Sequence, residues 1–182
     1  MGKIVISENV SLDGLGAGER LLDWVGQIQG EAAKVLLDEA LGTEALLLGR
    51  RSYDFFAARW PSRSGEYADR LNSMPKYIVS STLEHPAWSN TTVLAGDMVH
   101  EVSKLRQELA GDIVVYGSIQ LVHALIEHDL VDELRLMIYP VVLGAGGRLF
   151  GETSDSKPMR LVHVQAVGDG LALLTYQRAQ DA

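Results

Sequence analysis

The chain has 182 residues, of which 47% are hydrophobic and 22% are charged, and this predicts one compact domain over residues 1–182. Its formal net charge of −8 argues against nucleic-acid binding, which favours a basic surface, and makes any local basic cluster informative. Because the chain contains no cysteine, disulfides, thiolate catalysis and sulfur-ligated metals are excluded.

In the first half of the chain, apolar runs and apolar residues at helical spacing are separated by glycine-rich or polar stretches. They predict a strand at residues 3–7, a loop at 11–21, a helix at 24–41, a strand at 45–48, a helix at 52–58 and a polar surface stretch at 63–72. Gly42 fits just beyond the end of the first helix, and Trp60-Pro61 ends the second.

The second half continues the alternation of strands and helices. It predicts strands at residues 77–79 and 92–94, a helix over 98–109, a strand at 113–116, a helix to about residue 127, a strand at 134–139, and a closing hairpin of 161–167 and 171–177. Asp97 is placed to cap the first of these helices. Strands that alternate with helices predict an α/β domain whose largely parallel central sheet is flanked by helices, with a C-terminal antiparallel hairpin.

Three of the predicted strands end in small or polar residues directly before a helix or turn. The residues concerned are Gly49, Arg50, Arg51 and Ser52, then Ser80, Ser81 and Thr82, and finally Gly117, Ser118 and Ile119. Ligands of parallel α/β sheets bind beyond the carboxyl ends of the strands, where helix N-termini attract phosphate and arginine adds bidentate contacts. The recurrence favours a dinucleotide with a further phosphate, such as NADP; the alternative is ordinary turns with solvated arginines.

Sharper motifs are missing from the sequence. Residues 14–19, GLGAGE, carry glutamate where the dinucleotide fingerprint needs its last glycine, and YGSIQ lacks the second glycine of a nucleophile elbow. The five histidines show no paired metal-ligand spacing, so the sequence predicts no metal site. No apolar run reaches the length of a membrane span and the first residues do not form a signal peptide, which predicts a cytoplasmic protein without membrane partners.

Five segments together resemble a known family. ENVSLDG, LLLGRRSYDFF, YIVSST, VVYGSIQLVHALIEHDLVDELRL and PVVLGAGGRLF are similar to segments of the dihydrofolate reductase-like proteins of the riboflavin-reductase (RibD) C-terminal-domain family, in an order that spans Lys3 to Tyr176. The resemblance implies a dihydrofolate reductase-like fold, NADPH lying across the strand ends, a small-molecule substrate and a homodimer.

The resemblance also implies roles for individual residues at the cofactor end. Gly49, Arg50, Arg51 and Ser52 match the phosphate turn, with Arg50 as the match to the arginine that recognises the 2′-phosphate. Ser80, Ser81 and Thr82 match the strand end near the adenosine. Gly117, Ser118, Ile119 and Gln120 match the turn under the pyrophosphate, where Ser118 replaces a second glycine and restricts the backbone.

The substrate end departs from the family pattern. Asp13 is a candidate for orienting substrate or relaying a proton, with a turn cap as the equal alternative. Glu31 is the nearest candidate for the acidic residue with which dihydrofolate reductases bind the pterin. Tyr116 stands where the pyrimidine reductases of riboflavin synthesis carry a glutamate that contacts substrate.

The sequence therefore predicts an NADPH-dependent reductase that transfers a hydride to a small heteroaromatic (pterin- or pyrimidine-like) or carbonyl substrate, with Asp13 and Glu31 as candidate catalytic residues. One alternative is the 5-amino-6-(5-phosphoribosylamino)uracil reductase of riboflavin synthesis. Others are a non-catalytic protein that binds NADPH or another nucleotide, and a fold that holds no cofactor.

Overall fold

A computed structural model describes residues 1–179. Within them, strands and helices follow one another as β1 (Lys3–Ser11), β2 (Leu15–Ala17), α1 (Glu19–Val25), α2 (Gly30–Gly42), β3 (Thr43–Gly49), α3 (Arg50–Ala57), α4 (Glu66–Ser73), β4 (Lys76–Val79), β5 (Thr91–Leu94), α5 (Met98–Glu108), β6 (Asp112–Val115), α6 (Ile119–Glu127), β7 (Glu133–Tyr139), β8 (Gly147–Arg148), β9 (Met159–Val167) and β10 (Leu171–Arg178). None of the helices in this part of the chain is long and apolar enough to cross a membrane.

Eight of the strands form one central sheet in the order β5-β4-β3-β6-β1-β7-β10-β9. The six strands from β5 to β7 are parallel, whereas β10 pairs antiparallel with both β7 and β9. The predicted α/β architecture, with a mostly parallel sheet and a closing antiparallel hairpin, is confirmed. The hairpin turns through Gly168 and Gly170, both at positive φ, where a side chain would strain the backbone.

The two central strands, β1 and β6, are adjacent, but the helices that follow them leave toward opposite faces of the sheet. The connection from β1 to β3 passes over β6 through α2, and Ala40 of α2 packs with Val5. The connection from β6 to β7 passes over β1 through α6, where Val122 packs with Ile4 on the other face. This divergence opens a crevice beyond the carboxyl ends of β1 and β6, the place where open α/β sheets bind ligands.

Alternation along β1 explains why both faces of the sheet carry helices. Ile4 and Ile6 point to the α6 side and Val5 points to the α2 side, and all three are fully buried. Because this part of β1 is buried on both faces, its sequence is a continuous apolar run.

The predicted single helix over residues 24–41 is wrong. The chain forms α1 and α2 with a turn between them, because Gly30 adopts a φ of +60° that a helix cannot continue. The predicted loop at residues 11–21 contains β2 and the start of α1. The polar stretch at 63–72 mostly forms α4, whose Leu71 is buried. The Asp97 cap is confirmed, since its Oδ1 accepts a hydrogen bond from the His100 amide at 2.9 Å.

Lys76, at the start of β4, is fully buried. Its Nζ donates hydrogen bonds to the carbonyl oxygens of Asn72 at 3.0 Å and Met74 at 2.7 Å, and lies 4.4 Å from the centre of the Trp88 ring. Burial disfavours the charged ammonium and lowers the pKa of Lys76 from 10.5 to about 8. The stability of the fold therefore depends on pH in the alkaline range.

We expect the free energy of unfolding to rise between pH 8 and pH 10.5 because of Lys76. The folded protein loses this proton near pH 8, whereas the unfolded chain keeps it to about pH 10.5. Folding therefore releases a proton in this window and is favoured as the pH rises, by at most about 3 kcal/mol. Urea denaturation of the wild type and of Lys76→Met at pH 7 and pH 10 measures the effect.

The unfolding free energy of the wild type minus that of Lys76→Met should be larger at pH 10 than at pH 7. Lys104→Met, which removes an exposed lysine of α5, should show no such change. A difference for Lys76→Met that is the same at both pH values would contradict the prediction.

Candidate functional site

A cleft of about 830 Å³ opens at the crevice between β1 and β6. Its walls are α2, α3 and the segment that contains β2, and its floor is formed by the strand ends. Apolar side chains form much of the lining, among them Leu36 of α2, Phe56 of α3 and Trp60 just after α3. A concave, mostly apolar site with a few converging polar groups is the usual form of a small-molecule site.

The two predicted glycine turns, at residues 49–52 and 117–120, are hydrogen-bonded to each other at the mouth of this cleft. The Ser118 hydroxyl accepts from the Gly49 amide at 2.9 Å and donates to the Tyr116 carbonyl at 3.0 Å. The Ser118 amide donates to the Ser52 hydroxyl at 2.8 Å. The structure thus brings these two turns together. The Ser118 hydroxyl links the ends of β3 and β6 and does not cap α6.

Gly117 is required by this arrangement. Its φ is +55°, and a Cβ atom there would lie 2.9 Å from the Ser52 hydroxyl oxygen. Ser118 also has a positive φ, of 57°, a conformation that costs a residue with a side chain some backbone strain. Ile119 faces the cleft, whereas Gln120 is exposed and is not part of its lining.

Arg50 connects the first glycine turn with the end of β4. Its Nε is 3.1 Å from both carboxylate oxygens of Asp54, and its Nη1 donates to the Thr82 hydroxyl at 3.3 Å. The Ser80 hydroxyl accepts from the amides of Thr82 and Leu83, so it shapes the turn. Arg50 and the residues after β4 therefore lie together, as the sequence predicts.

Arg51 and two further arginines form a basic lip on the α3 side of the cleft. Arg51 is exposed at the rim. The guanidinium of Arg59 lies 3.6 Å from the centre of the Phe55 ring, and that of Arg63 lies 4.8 Å from the Trp60 ring. Stacking on aromatic rings fixes both cations at the edge of the cleft.

Ser81 is exposed beside Thr82, with no side-chain hydrogen bond to another described residue.

Asp13 joins two loops and is not part of the cleft lining. Its carboxylate accepts hydrogen bonds from the Ser11 hydroxyl at 2.6 Å and from the amides of Leu143 at 3.1 Å and Gly144 at 2.9 Å. The Ser11 hydroxyl and then these amides lower the pKa of Asp13 to about 2. Asp13 therefore stays ionised and holds the β7–β8 loop against the turn after β1; its catalytic role stays a prediction, and this geometry favours the turn-cap alternative.

Glu31 also lies outside the cleft. Its Oε2 accepts a hydrogen bond from the Gly168 amide at 2.9 Å, which ties the start of α2 to the β9–β10 turn. The catalytic role implied by the resemblance stays a prediction, and the geometry gives Glu31 a structural contact instead.

A polar cluster that the sequence did not predict lies on the cleft floor. The carboxylate of Glu39, in α2, accepts hydrogen bonds from the Ser7 hydroxyl at 2.7 Å and the Tyr116 hydroxyl at 3.0 Å, and pairs with Arg135 at 3.3 Å. Burial, followed by the negative charge of Glu39, raises the pKa of Tyr116 well above its ordinary value and that of Tyr67 to about 12. Both phenols stay protonated.

Arg135 serves several acidic groups at once. Besides Glu39, it contacts Asp112 at 2.8 Å and Glu133 at 2.6 Å. One guanidinium is therefore shared by three carboxylates, of which Glu39 lines the cleft.

Glu8, in β1, is a second carboxyl group of the cleft lining that the sequence did not single out. Its side chain is only 6% exposed, and its Oε1 has no hydrogen-bond partner among residues 1–179. Burial raises the pKa of Glu8 well above its ordinary value; the Gly117 amide offsets part of this rise, and the charge of Glu39 adds to it. The sequence could not single out Glu8, because its burial and its neighbours come from segments that are distant along the chain.

Known proteins resemble the chain along nearly its whole length. YyaP of Bacillus subtilis strain 168, an uncharacterized protein, is 26% identical over 186 residues, which is 96% of this chain and 94% of YyaP. A Shewanella sp. PV-4 protein named for riboflavin biosynthesis has a TM-score of 0.79 at 22% identity, over 98% of this chain and 99% of that one. Dihydrofolate reductase from Enterococcus faecalis, complexed with NADP(H), has a TM-score of 0.67 at 15% identity, over 98% of both chains.

The structural likenesses show a dihydrofolate reductase-like fold. The family profile of the RibD C-terminal domain matches residues 2–173. The fold and the family resemblance predicted from the five sequence segments are both confirmed. The chain belongs to the RibD C-terminal domain family.

Proposed function

We propose that the protein is an NADPH-dependent reductase that transfers a hydride to a small heteroaromatic or carbonyl substrate. The observation that carries the proposal is the pair of hydrogen-bonded glycine turns, residues 49–52 and 117–120. They lie at the mouth of the cleft, beyond the carboxyl ends of β1 and β6. The family membership and the dihydrofolate reductase-like fold support it.

The residues around the glycine turns fit an anionic dinucleotide. The free amides at the start of α6, beginning at Ile119, and the guanidinium groups of Arg50 and Arg51 would hold phosphates. Ser80, Ser81 and Thr82 would border the adenosine. When bound, NADPH supplies the hydride, while the protein binds both reactants, orients them and excludes water.

The inner half of the cleft fits a small planar substrate. Its apolar walls can enclose a ring, and the Glu39 carboxylate with the Tyr116 hydroxyl provides polar contacts at the floor. Such a ring with N–H and C=O groups at its edge is the substrate class that we propose.

The second candidate is the 5-amino-6-(5-phosphoribosylamino)uracil reductase of riboflavin synthesis. Membership of the RibD C-terminal family and the likeness to the Shewanella protein favour it. Against it, Tyr116 occupies the position at which those reductases carry glutamate, and its hydroxyl is bonded to Glu39. Turnover of the ribosylaminopyrimidine with NADPH would establish this candidate in place of the broader one.

Two measurements separate a reductase from a protein that only binds nucleotide. Titration of NADPH in a thermal-shift assay should raise the melting temperature, because a ligand that binds only the folded state stabilises it. NADPH oxidation is then followed across a panel of pterins, pyrimidines, quinones and flavins. Stabilisation without any oxidation would favour the non-catalytic binder, and no stabilisation at saturating NADPH would favour a fold without cofactor.

We expect Arg50→Ala to abolish the preference for NADPH over NADH. Arg50 is held toward Thr82 by Asp54 and would contact the 2′-phosphate, which only NADPH carries. The NADPH dissociation constant should rise about 10- to 100-fold, equivalent to a lost charge-assisted contact, while that for NADH changes little. Fluorescence titration of both nucleotides measures the ratio.

The control for Arg50→Ala is Lys104→Ala, which removes one positive charge from the exposed surface of α5. It should leave the ratio of the two dissociation constants unchanged. If Arg50→Ala also leaves that ratio unchanged, the assignment of Arg50 is wrong.

We also propose a homodimer and a cytoplasmic location, as the sequence and the resemblance led us to expect. The edge strand β9 supports a dimer through Leu161, Val162 and Val164, which are 48%, 39% and 62% exposed. A long apolar edge strand is a ready surface for pairing with another chain. A second copy would cover these side chains.

Val164→Lys should therefore shift the protein from dimer to monomer in sedimentation equilibrium, because a charge would have to be desolvated in the interface. Leu41→Lys, at a 50% exposed position in α2 away from β9, is the matched control and should keep the wild-type mass. A wild type that sediments as a monomer, or a Val164→Lys variant that remains dimeric, would rule out this interface.

A further inference from the structure

We propose that Glu8 is the catalytic acid, a neutral carboxyl group that gives its proton to the substrate as the hydride arrives. This inference rests on the proposed reductase function. It assigns a proton donor within the cleft lining, whereas the Asp13 and Glu31 carboxylates lie outside that lining and accept hydrogen bonds from backbone amides.

The position of Glu8 carries the proposal. β1 pairs with β6 only as far as Ile6, which lies opposite Val115, so Glu8 is the second residue beyond the last paired position. Glu8 therefore lies just beyond the paired part of β1 and β6. It faces the α6 side of the sheet, like its neighbours Ile6 and Val10. Its side chain lines the cleft close to Gly117, one of the two glycine turns.

Glu8 lacks the contacts that a buried carboxylate needs. Buried charges in proteins are paired or accept several hydrogen bonds, and an unpartnered buried polar atom is costly. Within residues 1–179 no group donates to its Oε1. A neutral carboxyl group resolves this cost, because it carries no charge and has an O–H of its own to offer to a bound molecule.

The charges around Glu8 favour the neutral form. From α2 the carboxylate of Glu39 repels a second negative charge. From β7 the guanidinium of Arg135 is committed to Glu39, Asp112 and Glu133. After β6, the Tyr116 hydroxyl donates to Glu39. Burial and Glu39 raise the pKa of Glu8, and the Gly117 amide opposes them only in part.

The cleft thus holds two carboxyl groups in opposite surroundings. Glu39 has a cation and two hydroxyl donors, whereas Glu8 is buried and has an unpartnered oxygen. Enzymes assign acid and charged roles to carboxyl pairs in this way, by giving each a different environment. Glu8 therefore takes the acid role and Glu39 the charged, orienting one.

The step balances in atoms and electrons. A C–H bond of the NADPH dihydronicotinamide would break, and its hydride would form a new C–H bond at the carbon of a substrate C=N or C=O group. NADPH is thereby oxidised to NADP⁺ and the substrate is reduced, as the π electrons of that group move to its nitrogen or oxygen. This atom takes the proton from Glu8, whose O–H bond breaks and leaves a carboxylate. Water reprotonates the carboxylate after the product leaves.

The other groups of the cleft and its surroundings are less suited to this step. Asp13, whose pKa is about 2, is ionised and already accepts three hydrogen bonds. Tyr116 uses its proton on Glu39, and its raised pKa makes it a weak acid. A general acid must hold its proton until the reaction takes it, and burial of Glu8 favours the protonated form.

The first test concerns protonation and needs no substrate. Protein labelled with carboxyl-¹³C glutamate should show the infrared carbonyl band of a protonated carboxylic acid at pH 7, and Glu8→Gln should lack that band. Glu152→Gln, which changes an exposed loop residue, should retain it. Absence of the band in the wild type at pH 7 would overturn the proposal whatever the variants do.

The second test is single-turnover oxidation of bound NADPH by the panel compound that the wild type reduces fastest. Glu8→Gln should slow this step about 100- to 10,000-fold, the usual loss for a general acid, while the NADPH dissociation constant changes less than about threefold. The wild-type rate should fall as the pH rises through the pKa of Glu8, whereas the residual rate of Glu8→Gln should not show this fall.

The outcomes separate the role of Glu8 from the proposed reductase function. A wild type that oxidises NADPH, with Glu8→Gln equally fast, overturns the role of Glu8 and leaves the reductase standing. A wild type that oxidises no NADPH with any panel compound overturns the proposed function and this inference with it.

Discussion

The site depends on one topological constraint, which is that the helices after β1 and β6 leave on opposite faces of the sheet. Because α2 and α6 diverge, no crossover covers the carboxyl ends of the two central strands. The glycine turns, Glu8 and the Glu39 cluster all lie around the gap that results. A different order of crossovers would bury this gap under a helix and leave these residues in separate places.

The hydroxyls of Ser118 and Ser52 make the mouth of the gap rigid. They join the ends of β3 and β6 by hydrogen bonds that use the Gly49 and Ser118 amides, so the amides that follow in α6, from Ile119, are held in a fixed orientation. Preorganised donors lose little conformational entropy on binding. The serine that departs from the double-glycine pattern of the family thus has a structural use that the sequence alone did not reveal.

Local patterns gave most of the fold and part of the site. Apolar runs located the ends of the central strands to within four residues. The residues after β3, β4 and β6 were grouped correctly because parallel strands end at one edge. The break between α1 and α2 was missed because apolar spacing continues across Gly26 and Gly30, and a positive φ is not visible in periodicity. The floor of the cleft could not be predicted, since Ser7, Glu39 and Arg135 meet across separations of 32 and 96 residues, and burial of a residue such as Glu8 is a property of the assembled sheet.

The division of charge along the cleft has a consequence for how a molecule enters it. The lip carries Arg51, Arg59 and Arg63, whereas on the floor the Glu39 carboxylate is paired with Arg135, which also contacts Asp112 and Glu133 outside the cleft lining. Positive charge is therefore concentrated at the lip of the cleft, and low-dielectric walls focus the field that it creates. That field would orient a dipolar molecule before it touches the walls, with its electron-rich end toward the lip and its other end leading toward the floor.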